Sequence, residues 1–103
     1  MINWGQLNGF EWDQGNALKS ETKHGVSQSE SEQIFFNQPI LIIEDMKHSH
    51  TESRFHALGI TNSIRCLHVT FTLRSSGSLI RVISARDMHK KERMVYEQTE
   101  KDT

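Results

Sequence analysis

A basic stretch in the last quarter of the chain carries the residue types best suited to binding phosphate. It spans residues 79–97 and reads LIRVISARDMHKKERMVYE. β-Branched residues on both sides of Arg81 predict a strand, and the chain is expected to turn near Arg86 into a helix. Three cationic side chains follow at the start of that helix: Lys90, Lys91 and Arg93. Because cationic groups and free helix N–H groups both attract anions, this corner is predicted to bind phosphate.

The formal net charge of −1 conceals an uneven distribution of charge along the chain. Residues 1–64 carry four Lys or Arg against eight Asp or Glu, residues 65–93 carry seven against two, and residues 94–103 carry one against three. A basic face is therefore expected, which favours an anionic partner. The alternative is that these charges are simply solvated on the outer sides of strands and helices.

The length of 103 residues predicts one small domain, with flexible ends at about residues 1–8 and 98–103. The first residues lack the basic and apolar segments of a signal peptide, and the longest apolar run, Pro39–Ile43, is too short to cross a bilayer. A soluble cytoplasmic protein without membrane contacts is expected. The single cysteine, Cys66, lies inside a strand pattern and is interpreted as a reduced core thiol.

Hydrophobic periodicity and capping signals predict an α+β fold with the order β-α-α-β-β-β-β-α. Helices over about 13–23 and 27–37 are expected to pack on one face of an antiparallel sheet, and the last helix runs to about 97. The expected strands cover residues 10–12, 39–44, 54–61, 64–73 and 79–86, with 39–44 covered on both faces. His68, Thr70 and Thr72 are then expected on the opposite face, open to solvent or a partner.

The polar segment 45–52 is predicted to be a loop between two strands. Its histidines, His48 and His50, lie close to Glu44 and Asp45, so a metal site with imidazole and carboxylate ligands can be considered. A flexible loop lacks the fixed geometry that gives such a site its affinity. No metal and no cofactor is therefore expected.

Six short segments resemble, in order and spacing, the BrnT toxins of bacterial type II toxin–antitoxin systems. They are FEWD at 10–13, KHGVS at 23–27, FFNQP at 35–39, the HSxxExRFxALG pattern at 48–59, IRVISAR at 80–86 and KKERMVYE at 90–97. The resemblance covers nearly the whole chain and implies a small RelE-like domain. Members usually have a basic residue where Asp87 stands and Ser or Thr where His89 stands, so Asp87 is a candidate to cap the last helix.

The resemblance implies a toxin that cleaves RNA and arrests translation. It also implies a cognate antitoxin of the BrnA type, similar to ribbon-helix-helix DNA-binding proteins, that holds the toxin inactive. The complex, expected to be a heterotetramer, would repress its own operon, so operator DNA would be contacted only through the antitoxin. A catalytically degenerate toxin that keeps its basic surface and its antitoxin is the alternative function.

RNA cleavage without a metal needs a base near the ribose 2′-hydroxyl, cations for the charge on phosphorus and an acid for the leaving 5′-oxygen. Arg54, Arg81 and Arg86 are the candidates for phosphate stabilisation, since a guanidinium group can grip a phosphate through two hydrogen bonds. Structural ion pairs are the alternative. Arg81 in particular interrupts an apolar strand face and needs an anionic partner, either RNA or Glu52.

The proton-transfer groups are less well specified. Glu52 is the candidate base, or the group that orients one, and Lys23 is a further cation or an acid. His24 and His68 could act as bases because imidazole titrates near neutrality, although most such histidines are hydrogen-bonded scaffolding.

Two aromatic residues have both a packing and a functional interpretation. Trp12 could stack on an RNA base, although an aromatic residue at a strand end more often belongs to the core. Tyr96, on the last helix, is expected to pack with its hydroxyl outward. The remaining candidate RNA-binding residues are Lys90, Lys91 and Arg93 at the start of that helix.

Overall fold

The structure is a computed structural model that describes residues 2–47 and 52–102, without the side chains of residues 14 and 16–18. A short 3-10 helix, Trp4–Gln6, precedes the regular elements. These are β1 (Gly9–Glu11), α1 (Gln14–His24), α2 (Gln28–Gln33), β2 (Leu41–Glu44), β3 (Arg54–Ile60), β4 (Cys66–Arg74), β5 (Leu79–Asp87) and α3 (Lys90–Lys101). The predicted α+β class and order of elements are confirmed.

The five strands form one sheet in the order β1-β5-β4-β3-β2. Strands β2 to β5 are antiparallel to their neighbours, as the short predicted connections require. The prediction of an all-antiparallel sheet is wrong for β1, which pairs in parallel with β5 and places Glu11 opposite Arg81. Loop lengths constrain the pairing of consecutive strands only, so they do not predict that the first strand pairs with the last.

One face of the sheet is covered by α1 and α2, as predicted. Ile34 is fully buried against Gly59, where an added Cβ would lie only 2.9 Å from the Cβ of Ile34. Helix α2 is shorter than predicted because the chain continues from Ile34 in turns, which allows the Phe35 ring to meet the Phe10 and Phe71 rings edge-on. The buried residues of this core are Val26, Ile34, Phe55, Ala57, Leu67, Val69, Phe71, Ile80, Val82 and Ala85.

Helix α3 covers one end of the opposite face. Tyr96 is fully buried there with Leu58 and Met88, and Cys66 packs partly buried at the margin of this cluster. The Tyr96 hydroxyl donates a hydrogen bond to the Pro39 carbonyl over 2.6 Å, so the prediction of an outward hydroxyl is wrong. A buried tyrosine needs a partner for its O–H, and this one comes from the loop before β2, distant in the sequence.

Strand β2 lies at the edge of the sheet. Ile43 is 50% exposed and Glu44 is also exposed, so the prediction of a strand covered on both faces is wrong. An edge strand has a neighbour on one side only, and its apolar composition did not reveal that position. Ile2 and Leu7 pack against the core and α3 continues to Lys101. Flexibility of the chain ends stays a prediction.

Within residues 2–47 and 52–102, every helix is too short or too polar to cross a membrane.

Candidate functional site

A row of polar side chains crosses the open part of the second sheet face. Arg54, Thr72 and Arg81 are direct register partners on β3, β4 and β5. Since opposite residues in neighbouring strands project from the same face, the two arginines flank the threonine. The Thr72 hydroxyl is not open to a ligand, because it donates to the Ser53 carbonyl over 2.6 Å.

Arg81 is held by two carboxylates from the segment that begins at β1. Its guanidinium group donates to Glu11 Oε1 over 3.3 Å and to Asp13 Oδ2. The hydrogen bond to Asp13 raises the pKa of Arg81 further above its ordinary value. The alternative that Glu52 is the anionic partner of Arg81 is wrong, because Glu52 pairs with Arg74 over 3.4 Å and the parallel β1–β5 pairing brings Glu11 to Arg81 instead.

Arg86 lies on the same face as Arg81, opposite His68 of β4. It donates to both carboxylate oxygens of Glu92, over 2.8 and 3.0 Å, and Glu92 also accepts from the backbone N–H of His89 over 2.8 Å. The Arg86 guanidinium is the largest cause that lowers the pKa of Glu92 to about 2. The end of β5 is thereby tied to the first turn of α3.

A pair of stacked imidazoles lies beside these arginines. His56 of β3 is fixed at both ring nitrogens: Nε2 is 2.9 Å from Asp45 Oδ2, and Nδ1 is 3.0 Å from Thr70 Oγ1. Its ring stacks on the ring of His68, with centroids 4.9 Å apart. Sequence reasoning missed His56, although its alternation with Arg54 along β3 was the signal that could have identified it.

His68 is neutral at pH 7. Burial, and then the charge of Arg86, lower the pKa of its imidazole to about 4, with smaller effects from His56 and His89 in the same direction and an opposing effect from Glu92. Its Nδ1 is buried and has no hydrogen-bond partner among the described residues. An unpaired buried acceptor costs less than an unpaired buried N–H, so the neutral ring is expected to carry its proton on Nε2.

A concave pocket of about 390 Å³ opens between the sheet and α3. Apolar side chains from β2, β3 and α3 form most of its surface, and the two histidines lie in its wall. The lining residues are Ile43, His56, Leu58, His68, Lys91, Glu92 and Val95. The open part of the sheet face thus combines guanidinium groups, a neutral imidazole and an apolar pocket.

Several other predicted site residues lie away from this face. Lys23 and His24 end α1, on the opposite side of the sheet. Trp12 packs against the core, and its indole N–H donates to Glu32 over 2.7 Å. Arg93 lines a separate pocket beside Ile64. Of the three cationic residues at the start of α3, Lys91 alone lines the pocket between the sheet and α3.

Asp87 binds Arg65 and does not cap α3. Arg65 Nε and Nη2 donate to the two carboxylate oxygens of Asp87 over 2.7 and 3.0 Å, and Arg65 also donates to the Gly25 carbonyl and to Glu30. These contacts tie the end of β5 to the turn between α1 and α2. The expectation of an Asp87 cap is wrong because the strand runs through Asp87 and the helix begins three residues later, at Lys90, with His89 as its N-cap residue.

The described residues contain no group of three or more His, Cys, Asp or Glu side chains that could hold a metal ion. His48 and His50 lie outside the described residues.

Comparison with protein families gives a match over most of the chain. A family model described as "Ribonuclease toxin, BrnT, of type II toxin-antitoxin system" matches residues 12–92, from the residue after β1 to the first turn of α3. The match includes strands β2 to β5, the stacked histidines and the three arginines of the open face. A comparison with curated proteins found no match.

Proposed function

The chain belongs to the BrnT family of ribonuclease toxins of type II toxin–antitoxin systems, and from this premise we propose that it is a metal-independent endoribonuclease that inhibits translation in the bacterial cytoplasm. The 2′-oxygen of one ribose attacks the adjacent phosphorus and the bond from phosphorus to the 5′-oxygen breaks. The proton of the 2′-hydroxyl passes to a base, and an acid protonates the departing 5′-oxygen. The products are a 2′,3′-cyclic phosphate and a 5′-hydroxyl end.

The observation that carries this proposal is the common sheet face of Arg54, Arg81 and Arg86. The first two flank Thr72 in one row across three strands, and Arg86 follows on β5 beyond Arg81. The guanidinium groups of Arg54 and Arg81, on separate strands fixed by the sheet, can contact different oxygens of one phosphodiester and offset the charge that develops on phosphorus. Arg86 adds a further cation to the same face of β5. This arrangement supports their role in phosphate stabilisation.

The proton-transfer role of Glu52 remains part of the proposal. Glu52 lies two residues before Arg54 and binds Arg74 at the end of β4, two positions beyond Thr72, the register partner of Arg81. A carboxylate beside a phosphate-binding row is suitably located to accept the 2′-hydroxyl proton. Lys23 and His24, which lie behind the sheet, are not included in the proposed catalytic set.

Membership of a type II toxin family implies an antitoxin partner. We infer that this partner is a BrnA-like ribbon-helix-helix protein, that the two form a heterotetramer, and that operator DNA is contacted only through the antitoxin. The family membership supports this assignment.

A second function is favoured by the ion pairs of the arginines. Arg81 is bound by Glu11 and Asp13, and Arg86 by both oxygens of Glu92. An RNA phosphate must compete with these carboxylates, as expected for a degenerate toxin that binds RNA or its antitoxin without turnover.

RNA incubated with the purified protein in the presence of EDTA separates the two functions. New 5′-hydroxyl and cyclic-phosphate ends, detected by mass spectrometry and lost in Arg81→Ala and Arg86→Ala, support the enzyme. Retention of intact RNA without new ends supports the noncatalytic module. Cleavage that disappears with EDTA and returns with a divalent cation contradicts metal independence.

A further inference from the structure

The proposed phosphate chemistry does not use the apolar pocket between the sheet and α3. Its volume of about 390 Å³ is within the usual range for small-molecule sites. Ile43 and Val95 are 50% and 51% exposed, and Leu58 is buried beneath them. Three aliphatic side chains thus line a recess in an otherwise polar part of the surface, and such a recess suits a flat, apolar ring.

His68 and Lys91 are the pocket residues that can donate hydrogen bonds to a ligand, because both ring nitrogens of His56 are already bonded within the protein. With its proton on Nε2, neutral His68 can donate one hydrogen bond, and the Lys91 ammonium can donate up to three. Glu92 also lines the pocket, but its oxygens already accept from Arg86 and from the His89 backbone. The pocket therefore favours a ligand edge that presents acceptors.

The pocket adjoins one of the proposed phosphate-binding residues. Arg86 is the register partner of His68 and is bonded to Glu92, and both of these residues line the pocket. A nucleotide whose base enters the pocket consequently has its phosphate near a guanidinium group. The pocket has apolar walls and hydrogen-bond donors, and a cation lies beside it. These features match one nucleotide of a single RNA strand better than an amphipathic helix, because a helix would bring no phosphate to the cation.

We propose that this pocket is a base-specificity subsite that holds one unpaired guanine of the RNA substrate, with its O6 and N7 toward His68 and Lys91. Guanine carries these two acceptors side by side on one edge. Adenine and cytosine would present an amino group to the same donors, and uracil alternates its acceptors with an N–H. The inference rests on the proposed ribonuclease function. It specifies which base the enzyme recognises beside the cleaved bond.

Binding of 5′-GMP tests the pocket without any need for turnover. The methyl signals of Val95 and the imidazole signals of His68 are followed by NMR during titration with each of the four 5′-nucleotides. GMP is expected to shift these signals and to bind about tenfold more tightly than AMP, CMP or UMP. Equal shifts with all four nucleotides, or none with GMP, would overturn the assignment.

Neighbouring positions on α3 supply a matched pair of variants. Val95→Phe fills the pocket, whereas Met94→Phe adds a similar side chain at a position that is 62% exposed and does not line it. GMP binding should be lost in Val95→Phe and kept in Met94→Phe. If Val95→Phe fails to fold, Lys91→Met tests the same pocket by removing one of its hydrogen-bond donors. Loss of the preference for GMP in Lys91→Met would support the proposal, and an unchanged preference would contradict it.

Mapping of RNA ends distinguishes failure of this inference from failure of the proposed function. If the wild-type protein cleaves RNA beside guanine and Val95→Phe cleaves without base preference, both hold. Cleavage with the same preference in wild type and Val95→Phe overturns the pocket assignment and leaves the ribonuclease function intact. Absence of cleavage by the wild type contradicts the proposed function, and the GMP titration still decides whether the pocket binds guanine.

Discussion

His56 and His68 lie diagonally across β3 and β4, and their rings stack at a centroid distance of 4.9 Å with 26° between the ring planes. Asp45 and Thr70 fix the His56 ring, whereas His68 has a buried Nδ1 without a partner among the described residues. The His56 ring is therefore fixed by its hydrogen bonds, and it stacks on the His68 ring in the wall of the pocket. The buried environment of His68 determines how this residue responds to pH.

Acidification is expected to destabilise the protein through His68. An imidazole in the unfolded chain takes up a proton near pH 6.5, whereas the pKa of folded His68 is about 4. The unfolded state thus binds more protons between these values, and the free energy of unfolding should fall as pH decreases from 6.5 to 4. His68→Gln should remove up to about 3 kcal/mol of this pH dependence, measured by urea unfolding at pH 4 and 7.

Other groups titrate in the same pH range, so the free energy of unfolding of His68→Gln is compared with that of the wild type at each pH. Arg86, His56 and His89 disfavour protonation of His68 and Glu92 favours it, and all four remain in His68→Gln. An identical pH slope for wild type and variant would show that His68 titrates in the folded state as it does in the unfolded chain.

Gly59→Ala is expected to destabilise the fold by about 1–3 kcal/mol. The added Cβ would lie 2.9 Å from the Cβ of Ile34 and 3.4 Å from its carbonyl oxygen, so Ile34 and the end of α2 that precedes it would have to move away from β3. Gly5→Ala is the matched control, because its nearest atom is 3.5 Å away and belongs to the side chain of Asn3. Similar thermal unfolding midpoints for the two variants would contradict the close contact of α2 with the sheet.

Local patterns predicted most of the fold because strands β3, β4 and β5 follow one another through short connections. Alternation in β4 correctly assigned His68, Thr70 and Thr72 to the face opposite α1 and α2. Thr70 and Thr72 are nevertheless buried, at 7% and 1% exposure, because neighbouring side chains and α3 cover much of that face. Alternation thus gives the direction of a side chain but not what lies above it.

The partners of the candidate residues required contacts distant in sequence. Arg81 contacts Glu11 and Asp13 only because β1 pairs in parallel with β5 at the edge of the sheet. Glu11 and Arg81 are 70 positions apart in the sequence. Proximity in the sequence groups Asp45 with His48 and His50, yet Asp45 binds His56 of β3. Charge patterns identified the arginines, but only the register of the sheet identifies the carboxylates that hold them.

Glu92→Gln is expected to destabilise the protein by about 1–3 kcal/mol at pH 7. The change removes a charge-assisted pair with Arg86 and weakens the acceptor for the His89 N–H at the start of α3. Because the pKa of Glu92 is about 2, below its ordinary 4.5, this stabilisation is complete above pH 4.5 and is lost as pH falls toward 2. Chemical denaturation at pH 7 and pH 2.5 measures both effects.

Glu97→Gln, an exposed change on the same helix, is the control and should alter stability by less than about 0.5 kcal/mol. Equal effects of Glu92→Gln at both pH values would mean that the charge of Glu92 contributes nothing to the folded state.

Expression of the protein alone is expected to stop bacterial growth, and co-expression of its antitoxin should restore growth. Arg54→Ala and Arg81→Ala should relieve the arrest, because loss of one phosphate-binding guanidinium is expected to slow cleavage by about 10²–10³-fold. Lys19→Ala removes a charge from an exposed position on α1, behind the sheet, and should leave the arrest unchanged. Growth curves with equal soluble protein levels make the comparison, and continued arrest by both arginine variants would exclude that row from catalysis.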